Sequence, residues 1–349
     1  MPPWTCAATL HTGFKSEIMI ITRTPFRISF FGGGTDYPNW YREHGGAVLS
    51  TSIDRYCYIT CRLLPPFFEH KHRIVYSRIE NVRGNDEIEH PSVRAVLNWA
   101  NITEGLEIHH DGDLPARSGL GSSSAFTVGL AHALYGIRGQ MVSQDRLARD
   151  AIHIEQNLIG ENVGSQDQVS AAHGGLNRID FHRDDTFDVA PIIISTSRKQ
   201  ELHSHLLLCF TGFSRVADSI AKSKIENMKS HTFELSRIRE MVDEAISILT
   251  NKQADLDEFG ELLDLSWKYK RSLSDRVSTP YIDEIYDAAV FAGAIGGKIL
   301  GAGGGGFMLL FAKPEKHAAI REALKALVHV SFNFDDSGSR VVMYQPNGL

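Results

Sequence analysis

"DLPARSGLGSSSAFTVGLAHALYG", residues 113–136, sets Gly119, Leu120 and Gly121 directly before a segment of helical pattern whose first turn carries Ser122, Ser123 and Ser124. Free backbone N–H groups and the positive end of a helix dipole converge on such a loop. Glycine lets an anion approach the main chain, and hydroxyls can bind the anion or a metal. No Asp or Glu in that first turn competes for the same field. The stretch reads as a phosphate cradle. A plainer reading, a helix capped by Ser122 behind a glycine turn, accounts for the same letters. A Walker A loop is ruled out because no Lys follows the last glycine. "GSSSA" approximates the nucleophile elbow of a serine hydrolase, but the preceding "LPARSGL" lacks the apolar strand that an elbow needs.

Upstream, "MIITRTPFRISFF", "AVLSTSIDRYCYITCRLL" and "HRIVYS" are rich in Ile, Val, Tyr and Phe and bounded by Gly or Pro, the pattern of strands. "HPSVRAVLNWANIT" predicts a helix, "LEIHHDGDLP" a strand, and "SQDRLARDAIHIEQNLIG" a helix opened by Ser and closed by Gly. After "DDTFDVAPIIIS" the pattern restarts with a strand, "HLLLCFTG", and long charged helices. "YIDEIYDAAVFAGA" is a further helix, and "GGKILGAGGGGFMLLFA" reads as two strands around a glycine loop. "GAGGGG" matches G-x-G-x-x-G formally, but a strand follows it where a dinucleotide fold needs a helix. Strands and helices mix without strict βαβ alternation, which predicts an α+β fold.

At 349 residues the chain is expected to form two domains sharing a cleft, with a boundary near residue 190. Residues 1–18 lack a secretory signal and read as a poorly ordered extension, with Met19 opening the first strand. A formal charge of -6 leaves no basic footprint for nucleic acid, and no run approaches the roughly 20 apolar residues of a membrane span. Four scattered cysteines fit neither a disulfide framework nor a zinc site, so a reducing cytoplasm is expected, with Cys57 and Cys61 in the core.

Two carboxylates stand in awkward places. In the helix expected over 143–160, Ala148, Ile152, Glu155 and Ile159 share a side, so Glu155 lies in an apolar stripe and needs a cation, a hydrogen-bond network or a metal. Asp167 follows in the polar "GENVGSQDQ", where a turn or N-cap aspartate is the plain alternative. Together with the serine loop they make the set that metal-assisted phosphoryl transfer requires.

These residues resemble the GHMP kinases, the superfamily of galactokinase, homoserine kinase and mevalonate kinase. "TPFRISFFGGGTDYP" resembles its first motif, "LPARSGLGSSSA" its phosphate loop and "KILGAGGGGF" its third, Gly-rich motif. The resemblance implies a two-domain fold with the active site in the cleft, an ATP-binding domain over 19–190 and a C-terminal domain over 191–349. It implies that Gly119 to Ser124 wrap the phosphates of ATP, that Ser123 and Glu155 ligate Mg²⁺, that Asp167 accepts or orients the acceptor's hydroxyl proton, and that Arg27 stands near the transferred phosphate.

Galactokinase has Glu-His where this chain has Gly33 and Gly34, which enlarges the sugar end and removes a negative charge. That form resembles the heptose kinases of the superfamily, implying transfer to the anomeric hydroxyl of a heptose 7-phosphate in bacterial surface-polysaccharide synthesis. Gly33, Gly34, Thr35, Asp36, Arg215, Gly303 and Gly304 are then the expected acceptor contacts, with Lys298 a further candidate grip for a phosphate. Alternatives of the same fold are fucokinase, galactokinase and homoserine kinase types or a non-catalytic sugar sensor. The expected partners are ATP and a sugar phosphate, with no nucleic acid and no membrane; the oligomeric state is left open, a homodimer included.

Overall fold

The structure, a computed structural model, describes residues 18–65, 67–212 and 228–346. Apart from Ile18, the expected N-terminal extension lies outside the described residues, as does Arg215.

The two longest β-rich runs become the two longest strands, β1 (Met19–Phe31) and β2 (Gly46–Leu63), paired antiparallel along their length. They centre a nine-stranded sheet with β3 (His72–Val75), β4 (Ile79–Val82), β5 (Leu106–Gly112), β6 (Leu176–Phe181) and β7 (Phe187–Pro191). A four-stranded sheet holds β8 (Leu206–Phe210), β9 (Gly296–Ile299), β10 (Phe307–Phe311) and β11 (Val328–Val330), in the order β11-β8-β10-β9. The last two strands return to the first sheet: β12 (Phe334–Asp335) pairs with β2, and β13 (Arg340–Gln345) pairs with β1. The last strands of the chain thus join the sheet built by its first ones. The reason is that β1 leaves the edge at Met19–Arg23 open for the chain's end to fill.

Ten helices are described: α1 (Pro38–His44), α2 (Pro91–Trp99), α3 (Ser122–Ile137), α4 (Gln144–His153), α5 (Gln166–His173), α6 (Thr196–Ser204), α7 (Thr232–Thr250), α8 (Asp257–Ser272), α9 (Pro280–Phe291) and α10 (His317–Ala323). None is long and apolar enough to cross a membrane among the described residues. In α3 every residue from Ser124 to Ala131 is buried, as expected for a helix that is apolar all round and runs through the centre of a domain. It lies on β1 and β2, with the Thr22 hydroxyl donating to the Gly129 carbonyl at 2.9 Å.

β1 alternates in burial over its first residues and is wholly buried from Thr24 onward, where elements from both parts of the chain cover it. Phe30 and Phe31 meet Phe259 of α8 edge to face at 5.5 and 5.1 Å, so one apolar core runs from the large sheet into the second unit. The end of β1 is thus the seam between the two sheets, and the motifs gather there.

Candidate active site

The phosphate loop is built as a cradle rather than as a side-chain cap. Gly121, left-handed at φ 75°, is the residue that caps α3, and no side chain bonds the first turn. Ser122 is therefore not the cap; its hydroxyl instead accepts from the Arg117 N–H at 3.0 Å and closes the loop. The N–H groups of the first turn remain directed at the loop, with the dipole behind them. Leu120 contributes only backbone: its side chain is in the core and its carbonyl accepts from the Arg27 N–H at 3.1 Å.

The third motif packs against this loop. A Cβ on Gly119 would lie 2.5 Å from the Leu300 carbonyl oxygen, and one on Gly301 would lie 2.5 Å from the Gly119 Cα, so the two glycine loops interlock main chain to main chain. The Phe307 N–H then donates to the Ser118 carbonyl at 3.0 Å. Gly303 and Gly304, expected at the acceptor, are elsewhere. Gly303 packs on the backbone of Val277 and the Gly304 N–H donates to the Val277 carbonyl at 2.9 Å, while Gly301 and Ala302 are the residues that line the cleft.

Arg27, on β1, and Asp167, in the first turn of α5, form a two-pronged pair: Arg27 Nε donates to Oδ1 at 2.8 Å and its terminal NH2 to Oδ2 at 2.9 Å. The remaining Arg27 NH1 donates to the Gly119 carbonyl at 2.7 Å. Arg27 is 3% exposed and Asp167 27%, so the arginine is the fixed base and the carboxylate the face turned to the cleft. A Cβ on Gly121 would meet Asp167 Oδ2 at 3.4 Å. Carboxylate and phosphate cradle are in contact.

Glu155 follows from a local irregularity. α4 opens on Ser143, whose hydroxyl accepts from the Arg146 N–H at 3.2 Å, and after His153 the helix widens to a π turn over Ile154–Ile159 that ends at Gly160. Such turns concentrate at functional sites because they re-aim a side chain. Glu155 is fully buried while Ile152 and Ile159, expected on the same stripe, are only half-buried. Ser124, not Ser123, donates to Glu155 Oε2, at 2.8 Å, and Gln168 donates to the same oxygen. Ser123, expected with Glu155 as a Mg²⁺ ligand, is exposed and lines the cleft, while the next serine faces inward and makes the contact with Glu155.

Burial pushes the Glu155 carboxyl up to about 7, against the hydroxyls of Thr127 and Ser124 and the Gln168 amide, which favour its charged form, and with the negative Glu161 adding to the rise. Its Oε1 has no hydrogen-bond partner. A carboxylate oxygen left vacant beside a loop of hydroxyls suits a hard divalent cation. Among the described residues no three acidic, His or Cys side chains cluster where they could hold a metal ion.

The first motif divides its labour. Thr35 is fully buried and its hydroxyl is engaged with the Gly32 and Ala47 carbonyls at 2.8 and 3.0 Å, so it pins the loop to β2 and does not reach the acceptor as expected. Asp36 lines the cleft but is nearly enclosed: Oδ1 accepts from the Gly34 N–H at 2.8 Å and Oδ2 from the Gln166 N–H at 3.3 Å. Burial raises its pKa, opposed by the Gly34 N–H and assisted by the negative Asp167 nearby. Asp36 thereby ties the glycine loop to the start of α5, one residue from Asp167. Gly33 and Gly34 both line the cleft.

The cleft measures about 630 Å³, and sequence reasoning missed several of its walls. The segment Gly160–Gly164 forms one of them, and Ser29, Tyr37, Arg117 and Gln166 contribute. Lys270, 7% exposed, donates to the Ile299 and Gly301 carbonyls at 2.6 and 2.8 Å, and Lys298, 4% exposed, to the Phe30 carbonyl at 2.7 Å. Lys270 had a signal: with Phe259, Leu263 and Ser266 it repeats at helical spacing on the apolar face of α8. A lysine in such a stripe raises the same question as Glu155.

The GHMP kinases N terminal domain matches residues 90–175, and the GHMP kinases C terminal domain matches residues 234–329. A D-glycero-alpha-D-manno-heptose 7-phosphate kinase of Campylobacter jejuni is 30% identical over 321 residues, covering 88% of this chain and 93% of that protein. The chain belongs to the GHMP kinases. This GHMP kinase is an ATP-dependent sugar kinase. Its fold is that of the solved structure of a D-glycero-D-manno-heptose 1-phosphate kinase from Bacteroides thetaiotaomicron, at a TM-score of 0.75 and 23% identity over 93% of this chain and 99% of that one. It is equally that of the Lactococcus lactis galactokinase complexed with galactose, at a TM-score of 0.70 and 18% identity over 92% and 95% of the two chains.

Proposed function

We propose that this kinase transfers the γ-phosphoryl group of ATP to the anomeric hydroxyl of D-glycero-D-manno-heptose 7-phosphate, giving the 1,7-bisphosphate and ADP, as a step towards bacterial surface polysaccharide. One observation carries the chemistry: the Asp167 carboxylate, clamped by Arg27, lies against Gly121 at the mouth of the phosphate cradle. The heptose assignment is supported by the Campylobacter jejuni relative and by the room left at Gly33.

In this reading the acceptor oxygen attacks the γ-phosphorus, the bond from that phosphorus to the oxygen bridging it to the β-phosphate breaks, and the hydroxyl proton passes to Asp167. Arg27 fixes the rotamer of Asp167, and through the Gly119 carbonyl it fixes the loop relative to it. First-turn N–H groups of α3 bind phosphate oxygens, and their alignment before the reaction lowers the barrier. Glu155, with a hydroxyl of the phosphate loop, would hold Mg²⁺, which when bound neutralises charge on the phosphates.

The test is ADP release from Mg-ATP with D-glycero-D-manno-heptose 7-phosphate, beside mannose, galactose, fucose and homoserine at equal concentration. Turnover confined to the heptose phosphate supports the assignment. Turnover with an unphosphorylated sugar replaces the acceptor and keeps the kinase, and no turnover with any acceptor favours a sugar sensor.

A further inference from the structure

Of the glycines 32–34, only Gly33 is not required by the backbone. A Cβ on Gly32 would stand 1.9 Å from the Ala47 carbonyl oxygen, and Gly34 has φ 111°. Gly33 is not among the residues of positive φ, and its Cβ would meet only Ser29 Oγ and Gln166 Nε2, each at an ordinary 3.6 Å. A side chain would therefore fit there, and the chain leaves the space open.

The walls of that space are polar and incompletely satisfied. Ser29 is 5% exposed, lines the cleft, and its hydroxyl has no hydrogen-bond partner; Gln166 lines the cleft opposite, and its Oε1 has none either. Buried polar atoms without partners are uncommon in folded proteins and call for an explanation. A ligand supplies one. The niche offers a hydroxyl, which can donate or accept, and an amide, which presents one donor and one acceptor whichever way it is turned.

We propose that Ser29 and Gln166 are acceptor-specificity residues, binding a hydroxyl of the sugar that enters the space over Gly33. A sugar hydroxyl both donates and accepts, so it can pair with Ser29 Oγ and with the Gln166 amide, whose Nε2 stands beside the space. This rests on the cleft being the acceptor site, and it deepens that reading without depending on which sugar is the best acceptor.

The experiment uses the full chain and its variants Ser29→Ala, Gln166→Ala and Gly33→Ala, with calorimetric binding of D-glycero-D-manno-heptose 7-phosphate, mannose, galactose and fucose, and steady-state kinetics with whichever sugar the wild type turns over. Each of the first two variants is expected to weaken sugar binding and raise KM for the sugar roughly tenfold, with KM for ATP within about twofold, since the change removes one buried hydrogen bond. Gly33→Ala is expected to raise KM for the sugar as well, by filling the space. Retained KM for ATP shows that each variant is folded. Sugar affinities unchanged in both Ser29→Ala and Gln166→Ala overturn the proposal, as does a wild type that binds none of the four sugars. If the wild type prefers a sugar other than the heptose phosphate, the acceptor assignment fails while the variants still decide this inference.

Discussion

Glu155→Gln isolates what the buried carboxylate costs the empty enzyme. Its ordinary value of 4.5 rises to about 7 in the folded protein, chiefly through burial. Between these values the folded state keeps a proton that the unfolded chain has lost, so unfolding releases protons and stability falls as pH rises. The stabilising contribution is complete below about pH 4.5 and gone above about pH 7. At about 1.4 kcal/mol per pH unit across that window, the loss is about 3 kcal/mol. Glutamine resembles the protonated form and carries no such term. The chain has 349 residues, and an unfolding entropy of roughly 2.1 cal/mol/K per residue converts the loss to about 4 °C in melting temperature. Calorimetric melts without nucleotide or divalent ion should therefore agree to within about 1 °C between wild type and Glu155→Gln at pH 5, and separate by about 4 °C in favour of the variant at pH 8. Parallel melts across the range would refute the argument, because Glu155 would then be hydrated or ion-paired when empty.

Asp167→Asn keeps the shape of the site and removes the proton acceptor, so kcat should fall by about 10²–10⁴ while ATP binding measured by calorimetry stays within twofold; near-normal turnover would remove Asp167 from the reaction. Gly119→Ala places a Cβ 2.5 Å from the Leu300 carbonyl at a residue with φ 88°, and should raise KM for ATP at least tenfold through displacement of the phosphate loop; an unchanged KM would show that the interlocked glycine loops give way freely. Lys270→Met deletes the donors to the Ile299 and Gly301 carbonyls and should lower stability in urea by about 2–4 kcal/mol, whereas a loss under about 0.5 kcal/mol would show those carbonyls find other partners.

The order and type of the elements were legible because each carries its period locally. β1 spans Met19–Phe31, the run read as a strand, and α4 begins after Ser143 as its cap predicts. The return of β13 to the edge of β1 was not legible, since pairing between residues more than 300 positions apart leaves no mark on either segment. In the site, the resemblance implied that Arg27, Asp167 and the phosphate loop share one place, and they do meet. What it did not disclose is direction. Neighbouring serines of one helical turn point about 100° apart, so Ser124 reaches Glu155 and Ser123 faces the cleft. Thr35 and Asp36 adjoin in sequence, yet one hydroxyl is locked onto β2 while its neighbour's carboxylate reaches across to α5.

Glycine clusters are where such ambiguity is greatest, because the same residue answers three different physical demands. Gly32 is needed for the approach of β2, Gly34 for a backbone angle, and Gly119 and Gly301 for each other. None of these informs about the acceptor, and in the third motif Gly301 packs on Gly119 while Gly303 and Gly304 pack on Val277. Gly33 differs in that neither contact nor dihedral demands it, and the side chains beside it, Ser29 and Gln166, are polar and each has an oxygen without a hydrogen-bond partner. A glycine retained for space rather than for backbone geometry carries information about what fills the space. The difference between kinases that share this fold should therefore be sought at position 33 and its two polar neighbours, more than in the loops that hold ATP.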